Sequence, residues 1–326
     1  MHMGIRRLLD TFLKPWPVTH RPHYGEKAMS QKQAMIAGMT KRLHGVVSEN
    51  FRQARIAFVG LGASSYAAEK CARLCPAKTN FLDMDTVQLP NLSRTAYRFA
   101  DAANERLKVH ALQERINEIN PLVECGAYAL DITSAEPKDL EECLDVDLIV
   151  AGTDQLAAQA TINRWAVKKG IPAVFVGLHA GARGGRVIWF VPGMTPCYRC
   201  VARERFHAAY EREDVDLAAA DGCLIDAQLV DMVALKIAVA ILERGQESAM
   251  GRFFTQMGQR NEVMIRCDPD YRWGNQLWQA ILSDLPREPR NYAAELQNTM
   301  LAMDSLWFPT QYDPDCPVCG GGRRRL

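Results

Sequence analysis

The sequence has almost no excess charge and no long apolar run. Its 39 Lys and Arg residues against 38 Asp and Glu residues leave a formal net charge of +1, which gives no reason to expect a nucleic acid as partner. No window is apolar for the roughly 18 residues that a membrane-spanning helix needs, and no basic and then apolar signal segment opens the chain. We therefore expect a soluble cytoplasmic protein without a membrane span.

The absence of a secretion signal also decides how the cysteines are interpreted. Ten cysteines without such a signal indicate a reducing compartment, where cysteines serve metals or chemistry more often than disulfides. The chain of 326 residues is 48% hydrophobic, which is enough for one large core or two modest ones. A globular protein with functional cysteines is the expectation.

A third glycine is missing from a segment that otherwise predicts a strand, a turn and a helix. The apolar run at residues 56–59 ends at Gly60 and Gly62, and helical character follows Ser65. Such a turn lets backbone N–H groups bind phosphate, but Ser65 stands where GxGxxG has its last glycine. Alone, this segment leaves a nucleotide site and an ordinary strand-to-helix turn equally open.

Polar residues follow the next predicted strand. That strand, at residues 79–82, ends at Asp83, at the spacing from the first glycine where a carboxylate commonly meets ribose hydroxyls. Arg94 and Lys108 add two cations, which a bound triphosphate requires and a dehydrogenase does not. The alternative is that both cations are solvated surface charges.

The segment LDMDTVQLPNLSR, followed by ERLK, resembles the adenylating domain of the ThiF, MoeB and ubiquitin-activating enzyme family. The likeness continues in VDLIVAGTDQLAAQATIN, where Asp154 falls on the family's Mg²⁺-associated aspartate. It extends through IPAVFVGLHAGARGGRVIWFVPGMTPCYRC and covers roughly residues 55–242, with a second CxxC near residue 319.

The resemblance implies an adenylyltransferase that uses ATP and Mg²⁺. Its expected reaction converts the C-terminal carboxylate, that of a glycine, of a ubiquitin-like or sulfur-carrier protein into an acyl-adenylate and pyrophosphate. Transfer to a thioester or to a conjugating enzyme is a further possibility, and a homodimer is expected. The candidate nucleotide-binding residues are Gly60, Gly62, Asp83, Asp85, Asn91, Arg94, Lys108 and Asp154, and the last three are also catalytic candidates.

Two CxxC pairs predict a structural metal site. Cys197 with Cys200, and Cys316 with Cys319, can each present two thiolates to one tetrahedral Zn²⁺. Their separation exceeds that of a small zinc ribbon, but distant pairs can meet in space, and the resembled family holds zinc in this way. Four sulfurs leave no open position, so the zinc would be structural. A redox pair is the alternative, although a thioredoxin-like context is absent.

Cys223 has two interpretations. It follows a polar stretch at residues 207–216, where activating enzymes of the resembled family carry the cysteine that takes the acyl group. It also falls at the start of a long apolar helix, where it would be the first core residue. Cys267 is a weaker candidate, because a reactive thiol needs exposure and a lowered pKa. The remaining cysteines are expected to be small buried hydrophobes: Cys71, Cys75, Cys125 and Cys143.

The alternation of elements predicts the fold class. Strands near residues 55–59, 79–82, 147–151, 172–177 and 186–191 alternate with helices near residues 65–75, 105–119, 155–169 and 226–243. This pattern is typical of a Rossmann-like, doubly wound and mostly parallel α/β sheet with helices on both faces, here with a zinc-tethered C-terminal segment. The expected parts are an N-terminal helical extension (1–50, with an amphipathic segment at 5–13), an ATP-binding adenylation domain (51–245) and a segment closing the zinc site (246–326).

The family's N-terminal RYxRQ-like arginine motif is missing, and Arg42 is the nearest candidate for its role. Two other functions stay open. An NAD-dependent oxidoreductase would leave Arg94, Lys108 and the cysteine pairs unexplained, whereas a non-catalytic zinc-stabilised scaffold would fit the altered glycine motif. The tryptophans at 273, 278 and 307 predict packing at a domain edge or a groove for a substrate tail.

Overall fold

The computed structural model describes residues 26–179, 181–211, 223–268 and 304–320. The predicted amphipathic segment at 5–13 and the tryptophans at 273 and 278 lie outside the described residues. The strands are β1 (Arg55–Val59), β2 (Lys78–Leu82), β3 (Glu124–Tyr128), β4 (Leu148–Ala151), β5 (Ala173–Leu178), β6 (Gly184–Phe190), β7 (Glu262–Arg266) and β8 (Asp304–Phe308).

Helices follow most of these strands. They are α1 (Glu26–Thr40), α2 (Glu49–Arg52), α3 (Ser65–Ala72), α4 (Phe99–Ala103), α5 (Lys108–Ile119), α6 (Pro137–Cys143), α7 (Leu156–Lys169), α8 (Tyr198–Val201), α9 (Arg203–Glu211), α10 (Leu224–Leu242) and α11 (Ala249–Met257). Short 3₁₀ turns occupy Lys41–Leu43 and Leu89–Ser93. No helix in the described ranges is both long enough and apolar enough to cross a membrane.

The described strands form one eight-stranded sheet in the order β3-β2-β1-β4-β5-β6-β7-β8. The pairings from β3 to β5 are parallel, and those from β5 to β8 are antiparallel. The chain leaves β1 for β2 on one side and returns to β4 on the other. The strand order therefore reverses between β1 and β4, and ligands of open α/β sheets bind at the carboxyl edge of this switch point.

Both faces of the sheet are covered, which confirms the predicted fold class. Ile56 and Phe58 of β1 pack on one face with α3, α5, α10 and α11, whereas Ala57 and Val59 pack on the other with α6 and α7. Because both faces are buried, the central strands are continuous apolar runs, which is why the sequence pattern predicts them.

The predicted elements agree with the observed ones to within three residues at each end. The pattern does not predict β3, β7 and β8. The strand β3 (ECGAY) is a partly exposed edge strand with one apolar β-former, and β7 (EVMIR) carries a charge at each end. Neither has the apolar run or strict alternation by which a strand is predicted. The ring of Trp307 on β8 packs beside Trp189, 5.7 Å between centroids.

Candidate nucleotide site and cysteine cluster

A cleft of about 600 Å³ lies at the carboxyl ends of the parallel strands. The residues that sequence analysis assigns to nucleotide binding all line it: Gly60, Gly62, Asp83, Asp85, Asn91, Arg94, Lys108 and Asp154. They come from the loops after β1, β2 and β4 and from the first residue of α5, so their convergence depends on the strand order. Cys223 is not among the lining residues.

The glycine turn presents backbone donors to this cleft. Gly60 has φ of 83°, and a Cβ there would lie 2.6 Å from the backbone nitrogen of Thr153. A Cβ on Gly62 would meet nothing within 4 Å. In the described part of the chain, the N–H groups of Gly62, Ala63 and Ser64 have no hydrogen-bond acceptor. Consecutive N–H groups before a helix form a site that favours an anion.

Ser65, at the position of the missing third glycine, has a structural task. Its buried hydroxyl accepts a hydrogen bond from the Ala96 N–H at 2.9 Å. One residue later, the Tyr97 hydroxyl donates to the Leu61 carbonyl at 2.9 Å. Burial raises the pKa of Tyr97 well above its usual value, so the phenol stays a donor. The loop after the 3₁₀ turn thus stabilises the glycine turn through the hydrogen bonds of Ala96 and Tyr97.

Asp83 and Lys108 form a partly buried polar cluster. Asp83 accepts from the N–H groups of Leu61 at 2.6 Å and Asp85 at 2.9 Å. Lys108 is 7% exposed, and its ammonium donates to Asp85 Oδ2 at 2.7 Å and lies 3.7 Å from Asp83 Oδ1. Burial raises the pKa of Asp83, although Lys108 and the two N–H groups oppose the shift. The surface alternative for Lys108 is therefore wrong.

The 3₁₀ turn holds Arg94 at the cleft. Asn91 Oδ1 accepts from the Gln88 N–H at 2.9 Å, and the Arg94 N–H donates to the Asn91 carbonyl at 3.0 Å. The Asn91 side chain therefore caps this turn. Arg94 itself is half-buried and lines the cleft.

Asp154 lies in the loop after β4, and a network that sequence reasoning missed holds that loop. Its side chain is exposed to the cleft, while its carbonyl accepts from Arg205 Nη2 at 2.8 Å. Arg205 also donates to Gln159 Oε1 at 2.7 Å and to the Tyr198 hydroxyl at 3.1 Å. Gln159 in turn donates to the Thr153 carbonyl at 2.7 Å. No motif marks these residues; only the closeness of Tyr198 and Arg205 to a CxxC pair hints at them.

The two CxxC pairs meet in space. Their four Sγ atoms lie within 4.8 Å of one another, with Cys197 3.7 Å from Cys316 and Cys200 3.4 Å from Cys319. Tetrahedral Zn²⁺ with Zn–S bonds of about 2.3 Å needs sulfurs about 3.8 Å apart. Disulfides need about 2.05 Å. The cluster therefore fits one tetrahedral ion.

The cysteine cluster lies next to the cleft, because Cys197 of the cluster is followed directly by Tyr198, which lines the cleft. Asn163 donates to Cys197 Sγ at 3.7 Å and accepts from the Tyr198 N–H at 2.9 Å. The Tyr198 ring stacks on Phe175 with centroids 4.3 Å apart, and both line the cleft. A metal at this position would thus restrain the residues that hold the loop of Asp154.

Cys223 is exposed, which contradicts its interpretation as a core residue. It is the N-cap of α10, and Ala227, one turn further along, lines the cleft. Cys267 is buried, and burial raises the pKa of its thiol to about 11, which opposes reactivity. The expected burial is confirmed for Cys71, Cys75 and Cys143, whereas Cys125 is half-buried.

Further titratable residues line the cleft without having been predicted, and His179, Arg186 and Asp231 are among them. Burial and the neighbouring Arg186 lower the pKa of His179 to about 4, so this imidazole is neutral at neutral pH. Arg186 is paired with Glu262. Asp231 is fully buried on α10 beside the glycine turn.

The fold and the cleft define a doubly wound α/β protein with a glycine turn, an aspartate and two cations at the switch point. The particular family follows from comparison. The chain belongs to the ThiF family, whose family model matches residues 31–271.

Two relatives illustrate this membership. The chain is 30% identical over 176 residues to ubiquitin-like modifier-activating enzyme 5 of Dictyostelium discoideum, covering 50% of this chain and 46% of that protein. It is 31% identical over 155 residues to the sulfur carrier protein ThiS adenylyltransferase of Bacillus subtilis (strain 168), covering 47% of this chain and 45% of that protein. The chain thus spans about half the length of the curated relatives it matches.

The fold also matches a solved structure. The crystal structure of E. coli MccB with ATP superposes with a TM-score of 0.59 at 14% sequence identity. The superposition covers 97% of this chain and 80% of that one. At this identity the likeness concerns the fold alone.

Proposed function

We propose that this protein is an ATP-dependent adenylyltransferase that activates the C-terminal carboxylate of a ubiquitin-like or sulfur-carrier protein. The observation that carries the proposal is the convergence of the glycine turn, Asp83, Lys108, Arg94 and Asp154 in one cleft. The names of the two relatives support the substrate class, since one acts on ubiquitin-like modifiers and the other on the sulfur carrier ThiS.

The proposed chemistry is an in-line displacement at phosphorus. A carboxylate oxygen of the carrier attacks the α-phosphorus of ATP, a new acyl O–P bond forms, and the bond to pyrophosphate breaks. The free N–H groups of residues 62–64 hold phosphate oxygens, and Asp83 accepts from the ribose hydroxyls. Arg94 and Lys108 neutralise the charge that develops on the leaving pyrophosphate. Lys108 exchanges its contact with Asp85 for one with phosphate.

Two metal ions belong to this proposal. The exposed carboxylate of Asp154 is an oxygen ligand of the kind that Mg²⁺ prefers, and Mg²⁺ bound there supplies charge stabilisation at the phosphates. The four cysteines hold a structural Zn²⁺, whose fit rests on the sulfur separations given above. Neither ion changes its oxidation state in the proposed reaction.

Replacing Arg94 or Asp154 with Ala should lower ATP–pyrophosphate exchange by about 10²-fold or more, because each removes a direct electrostatic contact in the transition state. The assay uses purified protein, Mg²⁺, labelled pyrophosphate and a panel of ubiquitin-like and ThiS-type carriers that end in glycine. Arg98→Ala and Asp145→Ala are the matched controls, since both side chains form surface ion pairs and neither lines the cleft.

Near-normal exchange in both cleft variants would overturn the residue assignments. ATP binding without exchange across the carrier panel would favour the scaffold alternative, whereas binding of NAD in preference to ATP, measured by calorimetry, would favour the oxidoreductase.

The exposed position of Cys223 supports a second step, in which its sulfur attacks the acyl-adenylate carbonyl and AMP leaves. We expect a carrier adduct that hydroxylamine cleaves and that Cys223→Ala abolishes, while pyrophosphate exchange falls less than about threefold. Intact mass spectrometry measures the adduct, and Cys125→Ala is the control because that residue lies on the edge strand β3. An adduct that survives in the Cys223→Ala variant would exclude this cysteine.

On the same family likeness we propose a homodimer in the cytoplasm, with a conjugating enzyme or a sulfur donor as the next partner. Light scattering of the purified protein tests the dimer directly.

A further inference from the structure

Asp231 is a buried acid on the wall of the proposed phosphate site. It lies on α10, is 1% exposed and lines the cleft. Its Oδ1 lies 3.1 Å from the Ser64 hydroxyl, which belongs to the glycine turn. Gly152 makes room for this contact, because a Cβ there would lie 2.1 Å from Ser64 Oγ.

The second oxygen of this carboxyl group determines its preferred charge. In the described part of the chain, Oδ2 of Asp231 has no hydrogen-bond partner. Burying an ionised carboxylate with one oxygen unsatisfied costs much free energy. Burying a protonated carboxyl group with the same oxygen unsatisfied costs little. Burial accordingly raises the pKa of Asp231 to about 7, and the hydrogen bond from Ser64 opposes the shift only in part.

Charged groups on the packed elements do not change this balance. One turn away on α10 lie Ala227, Gln228, Ala234 and Leu235, all uncharged. The titratable groups on the described elements packed against α10 are Glu49, Arg52, Tyr66, Glu69, Lys70, Cys71, Arg186 and Arg252, and His179 directly follows β5. Glu69 is engaged by Arg115, and Arg186 by Glu262. Burial is thus the main influence on Asp231.

The proton on Asp231 sets the direction of the hydrogen bond with Ser64. When Asp231 is ionised, the Ser64 hydroxyl must donate to it, and only an oxygen lone pair is left toward the cleft. When Asp231 is protonated, it can donate to Ser64 Oγ, and the serine proton becomes available to a phosphate oxygen. The protonated state therefore adds a donor to the turn and removes a negative charge beside the phosphates.

We propose that Asp231 is a positioning residue that acts through Ser64 and that ATP binding is coupled to the uptake of one proton by Asp231. This inference rests on the proposed function, since it requires a triphosphate at the glycine turn. It adds a condition to that function: the nucleotide binds the form of the protein that carries this proton.

The test measures MgATP affinity by calorimetry on the full chain between pH 6.5 and 8.5, without carrier protein. In the wild type the affinity should fall by about tenfold per pH unit above pH 7, because the bound state retains a proton that the free protein has lost. Titrations in Hepes and Tris, which differ in ionisation enthalpy, should report close to one proton taken up at pH 8.

In the Asp231→Asn variant the side chain keeps the shape of aspartate, and its amide donates a hydrogen bond to Ser64 Oγ at every pH. We expect this variant to bind MgATP with an affinity that changes less than about threefold over the same pH range and with no proton uptake. Ser64→Ala should weaken MgATP binding at pH 7. At pH 8.5 the double variant with Ser64→Ala and Asp231→Asn should gain less MgATP affinity than Asp231→Asn alone. Asp226→Asn, five residues earlier on α10, should leave the pH dependence of the wild type.

The outcomes separate this inference from the proposed function. ATP binding with the same pH dependence in wild type and Asp231→Asn would overturn the coupling while leaving adenylation intact. No binding of MgATP at any pH would instead contradict the function itself. A rise in thermal stability of Asp231→Asn at alkaline pH, without any change in ATP linkage, would assign Asp231 a purely structural role.

Discussion

At the scale of single residues, the candidate site divides into residues that spacing predicts and residues that only packing explains. Asp83 could be predicted because it ends a strand at a fixed distance from the glycine turn. Arg205 and Asp231 could not, since their partners Asp154 and Ser64 lie 51 and 167 positions away in sequence. Ser65 weakens the glycine motif, yet its hydroxyl makes a hydrogen bond that a glycine could not form.

The two glycines of the turn should differ sharply when replaced by Ala. Gly60→Ala places a Cβ against the Thr153 backbone at a positive φ, so unfolding by urea should show a loss of at least about 1–3 kcal/mol. Gly62→Ala meets only open space, so its stability should stay within about 1 kcal/mol.

Gly62→Ala should nevertheless weaken MgATP binding by at least about tenfold, because its methyl group would occupy the space that phosphate needs in the cleft. Calorimetry at pH 7 provides the measurement. Equal stability losses in both variants would contradict the geometry of the turn, and unchanged ATP affinity in Gly62→Ala would place the phosphates elsewhere.

At the scale of elements, burial on both faces decides what could be predicted. The strands β1, β4 and β5 are continuous apolar runs because helices cover them on either side. The strands β3 and β7 form by pairing with neighbouring strands, and their own sequences do not predict this pairing. The loop of Asp154 likewise depends on two short helices, α8, which contains Cys200, and α9, which follows it.

Removing one of the proposed metal ligands tests the link between these helices and the cleft. Cys319→Ser should lose about one equivalent of zinc by elemental analysis and lower Tm by more than about 5 °C, because metal binding contributes to folding. MgATP affinity should also fall, since Tyr198 and Arg205 lose the restraint next to them. Cys125→Ser is the control, and it should retain both zinc and affinity.

A metal-free Cys319→Ser variant with unchanged ATP affinity would show that the cysteine cluster and the Asp154 loop are independent. Full zinc content in that variant would contradict the four-cysteine site.

At the scale of the whole molecule, the fold class and family could be predicted because several motifs occur in a fixed order along the chain. The strand order could not, because it depends on which strands lie side by side, and β7 and β8 lengthen the sheet well beyond the predicted strands. Of the candidate nucleotide site, the sequence identified eight lining residues, but neither the hydrogen bonds that hold them nor buried neighbours such as Asp231.

The distance between the two cysteine pairs has a consequence for synthesis of the chain. Cys197 and Cys316 are 119 positions apart, so the first pair leaves the ribosome roughly 6–24 s before its partners at about 5–20 residues per second. Throughout that interval two neighbouring thiols lack the other two cysteines of the cluster. Correct assembly of the cluster therefore requires surroundings that keep the nascent chain reduced, and early oxidation of Cys197 with Cys200 is the error to which this architecture is most exposed.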